Sequence, residues 1–212
     1  MTKAFIIAEA GVNHGGDFGK ARELVEAARE SGASAVKFQI YDPVKLGRGI
    51  DARLSFAEYE KLADMGIEMF ASVFSVEDAE FIDPLVKRFK VAASEVGNIK
   101  LLTYLNQLPK RKIISRNPDS AICCWLNSRW DILHCISEYP CKNPQLKYVG
   151  SWGGYSDHCI GIEAAVISRA VGADIIEKHF CITRDCVDGL HSATPDEFKE
   201  LVRRVREIEG ML

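Results

Sequence analysis

The stretch "AFIIAEAGVNHGGDFGKARELVEAARESGASAVKFQI", residues 4–40, decides the fold. Its apolar start at residues 4–10 is typical of a buried strand, and residues 20–32 carry alanine, leucine and valine at the spacing of one helix face. Gly32 ends that helix, and a second apolar run follows at residues 34–40. A strand, a helix and a strand in this order predict two parallel strands joined by a helical crossover.

The same alternation continues along the rest of the chain. The predicted strands are residues 4–10, 34–40, 67–74, 89–94, 111–115, 131–137, 153–158 and 173–180. The predicted helices are residues 20–32, 55–66, 76–88, 98–108, 161–172 and 196–210, with a weak segment at 119–128 and an irregular connection after residue 137. Eight units favour a closed, compact (β/α)8 TIM barrel over an open doubly wound sheet, and no G-x-G-x-x-G indicates dinucleotide binding. We expect one domain spanning residues 1–212.

The composition points to small molecules as partners. Of the 212 residues, 47% are hydrophobic and 27% are charged, which is ordinary for a soluble globular protein. A formal charge of -3 argues against a nucleic-acid surface. No apolar run approaches the roughly 20 residues of a membrane span, and the apolar stretch at the start is too short for a secretory signal. We therefore expect a cytoplasmic protein without a membrane partner.

The seven cysteines are odd in number and form no C-x-x-C pair, which predicts reduced core thiols rather than a disulfide framework. The segment "HFCITRDC", residues 179–186, offers a histidine and two cysteines, but its spacing matches no standard zinc finger. Core packing is the preferred interpretation of these cysteines.

Every predicted strand ends in polar side chains, and the C-terminal strand ends form the functional face of such a barrel. In chain order these residues are Glu9; Lys37 and Gln39; Ser72; Lys90, Ser94 and Glu95; Ser115 and Arg116; Ser137, Glu138 and Tyr139; Ser156, Asp157 and His158; and Glu177, Lys178 and His179. Each one alone is more typical of a solvated loop. Their presence at all eight ends predicts a polar site.

The last predicted strand contains three ionisable residues in a row, in "GADIIEKHF" at residues 172–180. Side chains two residues apart share a face of a strand, so Glu177 and His179 point the same way. Lys178 then points to the opposite side, toward the helical layer or around the rim. Buried charges are costly unless they are paired or bound, so the triplet indicates a bound ion.

The residue types at the strand ends suit two ligands. Lys37 and Lys90, together with several serine hydroxyls, supply positive charge and hydrogen-bond donors for a phosphate or a carboxylate. His158 and His179, with carboxylates beside them, suit a divalent metal with open coordination positions. Two hydrogen-bonded rim histidines without a metal are the alternative. A metal beside an anion pocket can polarise a carbonyl while a phosphorylated partner is held.

Six motifs carry a family resemblance. In order they are "IIAEAGVNHGGD", "GASAVKFQ", "FKVAASE", "LHCISEYP", "GYSDH" and "IIEKHF". They resemble the barrel domain of the sialic acid synthase family, which includes N-acetylneuraminate synthases and their pseudaminic and legionaminic relatives. The resemblance implies condensation of phosphoenolpyruvate with an N-acetylated amino sugar such as N-acetylmannosamine. The implied cofactor is Mn²⁺ or Mg²⁺, and the implied second product is phosphate.

The resemblance also implies roles for single residues. His158 and His179 are the implied metal ligands, with Glu177 nearby. The implied phosphoenolpyruvate pocket consists of Lys37, Ser72, Lys90, Ser115, Ser137 and Ser156. Gln39, Tyr139 and Asp188 fall where the family contacts the sugar. Glu9 lies where a carboxylate near the reacting carbons is expected, and Glu9, Lys37, Lys90 and Glu177 form the implied catalytic set.

Several departures from the family pattern limit these expectations. Ser72 falls on a threonine of the family, and the usual serine after the fourth strand is either shifted to Ser94 or replaced by Ala93. Chain is missing between Gln39 and Leu54 and around residues 117–130, so the second and fifth helical segments are expected to be short.

Full-length members carry a C-terminal antifreeze-like domain that supplies an arginine to the partner's sugar site, and this chain stops at Leu212 without one. We expect metal and phosphoenolpyruvate binding to be better preserved than sugar specificity, with Arg116 as one candidate replacement for that arginine. Assembly into a homodimer is a further alternative. Two other functions remain alternatives: a non-catalytic barrel that binds a ligand or a partner, and a metal-dependent aldolase-type enzyme acting on another phosphorylated substrate.

Overall fold

Eight parallel strands close into a barrel in which each strand pairs with its neighbours in chain order. The computed structural model describes residues 2–46, 52–120 and 126–211. The strands are β1 (Phe5–Gly11), β2 (Ala35–Ile40), β3 (Glu68–Val73), β4 (Arg88–Val91), β5 (Arg111–Arg116), β6 (Trp130–Cys135), β7 (Gly154–Asp157) and β8 (Ile175–His179). Strand β1 pairs with both β2 and β8, which closes the barrel and confirms the predicted fold class.

Helices occupy the outside of the barrel. They are α1 (Phe18–Glu30), α2 (Pro43–Leu46), α3 (Phe56–Ala63), α4 (Val76–Ile82), α5 (Ile99–Gln107), α6 (Val149–Trp152), α7 (Glu163–Ala170) and α8 (Pro195–Met211). Short 3₁₀ turns lie at Asp83–Leu85, Ala93–Glu95 and Leu146–Tyr148. None of the helices in the described ranges has the length and apolar character that a membrane span requires.

Helix α1 illustrates how the sequence builds a unit. The Asp17 side chain accepts a hydrogen bond from the Lys20 backbone and so caps the first turn. The face made of Ala21, Leu24, Val25 and Ala28 is buried against the barrel, as the helical spacing predicted. Burial of this apolar stripe is the main stabilising term for such a helix.

Two predicted elements end earlier than expected. The helix predicted for residues 76–88 ends at Ile82 and continues as a 3₁₀ turn, because Pro84 has no backbone N–H to donate to the helix. The strand predicted for residues 89–94 ends at Val91, and the chain then turns at Ala93–Glu95. This turn moves Ser94 off the strand and to the rim.

The shortened segments lie where the sequence predicted them. The second unit carries only the four-residue α2 and the eight-residue α3, compared with thirteen residues in α1. Between β5 and β6 the described residues 117–120 and 126–129 form no helix, and the weak segment at 119–128 lies partly outside the described residues. In the sixth unit a 3₁₀ turn and the four-residue α6 replace a full helix.

The described cysteines carry free thiols, as predicted. Cys135, Cys141 and Cys181 are buried, and Cys159 and Cys186 are half-buried. Cys123 and Cys124 lie outside the described residues.

Candidate active site

A cavity of about 660 Å³ opens at the C-terminal ends of the strands. Fourteen of the residues that the sequence nominated for the site line it: Glu9, Lys37, Gln39, Ser72, Lys90, Ser94, Ser115, Ser137, Tyr139, Ser156, His158, Glu177, His179 and Asp188. The structure therefore brings the nominated strand ends together around one space.

The floor of the cavity is a network of two lysines and two glutamates, all buried. Lys37 Nζ lies 2.5 Å from Glu9 Oε2 and 3.6 Å from Glu177 Oε2, and Lys90 Nζ lies 3.6 Å from Glu177 Oε1. Glu177 thus lies between the two lysines. The lysines are not solvated loop residues, which was the alternative interpretation of a single lysine at a strand end.

Serine hydroxyls complete this network. Lys37 donates to Ser72 Oγ at 2.9 Å, and Lys90 donates to Ser115 Oγ at 2.7 Å. Ser156 donates its hydroxyl hydrogen to Glu177 Oε1 at 2.8 Å. The hydroxyls fix the directions of the charged groups, which preorganises the site for a ligand that carries negative charge.

The two glutamates have opposite pKa shifts. Burial raises the pKa of Glu9 above its ordinary value, although neighbouring Lys37 opposes the change. Burial also acts to raise the pKa of Glu177, but Lys37 and Lys90 outweigh it and lower this pKa to about 2. Carboxylates with pKa values pushed apart can take different roles, one as a proton carrier and one as a fixed anion.

The two lysines also differ. Burial lowers the pKa of Lys90, despite the opposing effect of Glu177. For Lys37 burial acts in the same direction, but Glu177 and Glu9 together raise its pKa above the ordinary value. Lys37 is therefore a permanent cation of the floor.

His158, His179 and Asp188 line the cavity on the β7 and β8 side, and His191 packs against His179. The rings of His158 and His179 lie 5.4 Å apart between centroids, and those of His179 and His191 lie 4.5 Å apart. His158 Nδ1 contacts the carbonyl oxygen of Ile136 at 2.8 Å, which fixes the ring orientation. Burial lowers the pKa of His158 to about 3 and that of His191 to about 4, so both rings are neutral at pH 7.

This side of the site fits a metal ion. His179, Asp188 and His191 each offer one ligand atom, and these atoms all lie within 4.8 Å of one another. The buried nitrogens His179 Nδ1 and His191 Nε2 have no hydrogen-bond partner. Neutral imidazoles and a carboxylate are suitable ligands for a divalent transition metal. Among the described residues, Cys181 and Cys186 are not members of this group, so the zinc interpretation of "HFCITRDC" receives no support.

Tyr139 covers the histidines at the mouth of the cavity. Its ring lies 4.2 Å from that of His158 and 5.3 Å from that of His191, measured between centroids. The side chain is nevertheless 57% exposed, because it stands on the rim. A ligand entering the cavity passes this ring.

Lys178 points away from the cavity, as the strand parity predicted. Its Nζ lies 3.0 Å from Asp157 Oδ2, and both side chains are fully buried on the outer face of the barrel. Asp157 Oδ1 also accepts a hydrogen bond from the Tyr155 hydroxyl at 3.0 Å. Because β7 and β8 pair at Asp157 and Lys178, this ion pair lies directly behind His158 and His179.

Three rim residues differ from the simplest expectation. Ser94 is exposed and donates to Glu95 Oε1 at 3.1 Å. Ser137 is exposed as well and accepts a hydrogen bond from Asn117 at 3.0 Å. Arg116, one candidate replacement for the family's arginine at the sugar site, does not line the cavity; its guanidinium lies 4.5 Å over the Trp152 ring.

Sequence reasoning missed His191, Asn13, Asn117 and Cys135. His191 lies in the long loop after β8, where no strand end marks it; its spacing of three residues from Asp188 was the available signal. Asn13 accepts a hydrogen bond from the Asp188 backbone at 3.0 Å and so positions that loop. Cys135 was interpreted as a core residue, but it is the inward residue at the end of β6 and lines the cavity.

Comparisons with known proteins found a matching family model, similar sequences and similar solved structures. Residues 51–212 match the model of the NeuB family. The N,N'-diacetyllegionaminic acid synthase of Legionella pneumophila is 33% identical over 98% of this chain and 73% of the relative. An uncharacterized protein of Methanocaldococcus jannaschii is also 33% identical, over 98% of this chain and 72% of its own length.

Among solved structures, the N-acetylneuraminic acid (sialic acid) synthetase from Leptospira borgpetersenii, determined in complex with citrate, has a TM-score of 0.93 to this chain at 31% identity. The match covers 99% of this chain and 85% of that one. The sequence motifs, the barrel and these matches agree, and the chain belongs to the NeuB family of sialic acid synthases.

Proposed function

We propose that the protein condenses phosphoenolpyruvate with the open-chain aldehyde of an N-acetylated amino sugar, giving a nonulosonic acid of the sialic acid type and phosphate. The observation that best supports this proposal is the buried floor of the cavity, where Lys37 and Lys90 each contact Glu177 and a serine hydroxyl. Burying two ammonium groups is costly. Their presence at the end of an open cavity is explained by a ligand of high negative charge.

Phosphoenolpyruvate carries a phosphate and a carboxylate, so it requires two positive sites close together. Lys37 and Lys90 supply those charges, and Ser72, Ser115 and Ser156 supply hydroxyls beside them. Because Glu177 lies between the lysines, it holds both ammonium groups in place before the ligand arrives. This arrangement favours binding without a large reorganisation of the site.

His158 and His179 would hold a divalent metal, Mn²⁺ or Mg²⁺, on the β7 and β8 side. Such an ion supplies a Lewis acid that polarises the sugar aldehyde. The identity of the ion is part of the proposal.

In the proposed reaction, carbon 3 of phosphoenolpyruvate forms a bond to the aldehyde carbon and water adds at carbon 2. The resulting tetrahedral intermediate collapses and expels phosphate through cleavage of its carbon–oxygen bond. Glu9 is the proposed proton carrier, because it lines the cavity and burial raises its pKa above the ordinary value. Lys37 and Lys90 neutralise the phosphate while that bond breaks, a preorganised electrostatic role.

Gln39, Tyr139 and Asp188 are the proposed contacts of the sugar. Gln39 donates to Glu9 Oε1 at 3.0 Å, which would couple the sugar contact to the proposed proton carrier. The relatives carry names for different products, legionaminic and sialic acids, so the acceptor is proposed only as a class.

The test is a product assay. The protein is incubated with phosphoenolpyruvate, Mn²⁺ and a panel of N-acetylated hexosamines, and both phosphate and 2-keto acid are measured. We expect sugar-dependent release of phosphate in equal amount to the 2-keto acid, and its loss in His179→Ala.

Two outcomes would favour the alternatives. Phosphoenolpyruvate binding without turnover on any aldehyde would indicate a binding protein with a synthase-like barrel. Turnover with other aldehydes alone would indicate an aldolase-type enzyme with a different acceptor. Lys112→Met controls for effects of a buried substitution outside the site on the product assay, because Lys112 is a buried lysine that does not line the cavity.

A further inference from the structure

The inner face of the barrel carries a second layer of polar residues above the lysine floor. Side chains two residues apart on a strand share a face, so Asn117 faces the cavity above Ser115 at the end of β5. Ser137 faces the cavity above Cys135 at the end of β6 in the same way, and all four residues line the cavity. Because Ser115 accepts a hydrogen bond from Lys90 at 2.7 Å, this second layer stands next to one cation of the floor.

Two hydrogen bonds join Asn117 to Ser137. The Ser137 backbone N–H donates to Asn117 Oδ1 at 2.8 Å, and Asn117 Nδ2 donates to Ser137 Oγ at 3.0 Å. The first bond fixes the orientation of the amide, because a backbone N–H only donates and therefore requires the amide oxygen opposite it. The amide nitrogen then faces the Ser137 hydroxyl, and its hydrogen occupies one of the two acceptor positions of that oxygen.

The hydroxyl hydrogen of Ser137 is left for a ligand. A serine hydroxyl has a single hydrogen, which rotates toward the acceptor at hand. This hydrogen cannot serve the contact with Asn117 Nδ2, because there the serine oxygen is the acceptor. Within residues 2–46, 52–120 and 126–211 the other side-chain contact of Ser137 Oγ is Cys135 Sγ at 4.0 Å, a long contact to a weak acceptor. Since Ser137 is exposed and lines the cavity, its hydroxyl is available to donate to a bound oxyanion.

The backbone at Asn117 is held in place by its neighbours. The Arg116 guanidinium donates from Nε to Asn117 O at 3.4 Å and from Nη2 to Pro118 O at 3.3 Å. The Ser120 backbone N–H donates to the same Asn117 oxygen at 3.1 Å. These contacts set the position of the amide before a ligand arrives, which is the condition for preorganised binding.

We propose that Asn117 is a positioning residue that makes the Ser137 hydroxyl a donor to an oxyanion of phosphoenolpyruvate. This inference rests on the proposed function and deepens it, because it adds an oriented donor above the charged floor. Phosphate and carboxylate oxygens accept hydrogen bonds, so each further donor aimed at them strengthens binding. Without the amide the hydroxyl samples other rotamers, and the bond to the ligand must then offset the cost of ordering it.

The experiment is a double-mutant cycle on the Kd for phosphoenolpyruvate, measured by isothermal titration calorimetry in the presence of Mn²⁺. Ser137→Ala removes the donor, and we expect it to raise the Kd by at least about tenfold. Asn117→Ala removes the orientation of that donor, and we expect it to raise the Kd by about threefold or more. In the Ser137→Ala background the same Asn117→Ala change should have no further effect on the Kd, because Asn117 acts through the hydroxyl.

A second variant, Asn117→Asp, separates positioning from support of the fold. Aspartate keeps the acceptor for the Ser137 backbone N–H, but its carboxylate takes the hydroxyl hydrogen away from the ligand, and its negative charge acts in the same direction. We therefore expect a larger rise in the Kd for Asn117→Asp than for Asn117→Ala. A residue that only supports the fold would give the reverse order, because alanine loses both hydrogen bonds to Ser137 and aspartate loses one.

The matched control is Asn127→Ala. Asn127 lies at the other end of the connection between β5 and β6, donates from Nδ2 to Asn106 O at 3.1 Å and does not line the cavity, so its Kd should remain that of the wild type. Equal effects of Asn117→Ala in both backgrounds, or equal Kd values for the wild type and Asn117→Asp, would overturn the inference and leave the proposed function standing. No binding of phosphoenolpyruvate by the wild type would contradict the proposed function, and the inference with it.

Discussion

Glu177 is the residue on which the charge balance of the site depends. Its carboxylate contacts Lys37 and Lys90 and accepts a hydrogen bond from Ser156. The two lysines overcome the effect of burial and lower its pKa to about 2. Glu177 is therefore a fixed anion across the physiological pH range, whereas burial raises the pKa of Glu9 above its ordinary value.

This difference predicts a pH dependence of stability. Because the pKa of Glu177 is lower in the folded protein, its contribution is present above pH about 4.5 and is lost as the pH falls toward 2. A pKa moved from about 4.5 to about 2 corresponds to roughly 3 kcal/mol. Urea unfolding of the metal-free protein between pH about 4.5 and pH about 2 should show this loss in the free energy of unfolding for the wild type and a smaller loss for Glu177→Gln. If the free energy of unfolding falls with pH by the same amount in the two proteins, the lowered pKa of Glu177 is contradicted.

The buried pair of Lys178 and Asp157 predicts a large effect of a single change. Asp157→Asn leaves the Lys178 charge buried without its partner, so we expect a loss of about 3–5 kcal/mol in the free energy of unfolding. Asp131→Asn is the matched control, since Asp131 pairs with the more exposed Arg111 across two neighbouring strands. That change should cost less than about 1 kcal/mol. Equal losses in the two variants would show that burial of the pair does not matter.

At the scale of elements, the turn after β1 connects the floor of the cavity to the loop after β8. Gly11 has a φ of 55°, in the left-handed region. A Cβ added there would lie 3.3 Å from both Asp188 Oδ2 and Glu9 Oε1. Glycine thus allows Glu9, the proposed proton carrier, and Asp188, a proposed sugar contact, to approach each other.

Gly11→Ala is expected to weaken binding of the acceptor sugar, because the added methyl group displaces Asp188, a proposed sugar contact. Gly15→Ala is the control: Gly15 has a similar φ of 58°, but a Cβ there meets nothing within 4 Å. Both variants should lose about 1–2 kcal/mol of stability from the backbone conformation. Only Gly11→Ala should also raise the KM for the acceptor sugar in the product assay. Equal KM values for the acceptor sugar in the two variants would refute the crowding argument.

At the scale of the whole molecule, the strand ends were predictable from sequence because the barrel imposes a simple geometry. Parallel strands end at one face, so polar residues at eight strand ends had to meet. The alternation of faces within a strand also placed Lys178 outside and Glu177 inside, and both placements are confirmed. The short second and fifth helical segments followed from chain missing relative to the family pattern.

The loops were not predictable in the same way. A loop has no periodicity that states which residues face inward, so His191 was marked only by its spacing of three residues from Asp188, and Asn13 gave no pattern to detect. Arg116 was misplaced for a related reason: at the end of β5 its long side chain stacks on Trp152, a contact between residues distant in sequence. Ser94 is shifted by one residue relative to the serine of the family pattern, and its placement at the rim depends on a turn that starts just after β4.

Binding of phosphoenolpyruvate tests the central claim most directly, because it needs no knowledge of the sugar. Isothermal titration calorimetry in the presence of Mn²⁺ should detect one site per chain. Lys90→Met should raise the Kd by at least about tenfold through loss of a charged hydrogen bond worth about 1.5–3 kcal/mol, whereas Lys112→Met should leave it unchanged. No binding by the wild type, or equal Kd values for the wild type and Lys90→Met, would contradict a phosphoenolpyruvate site on this floor.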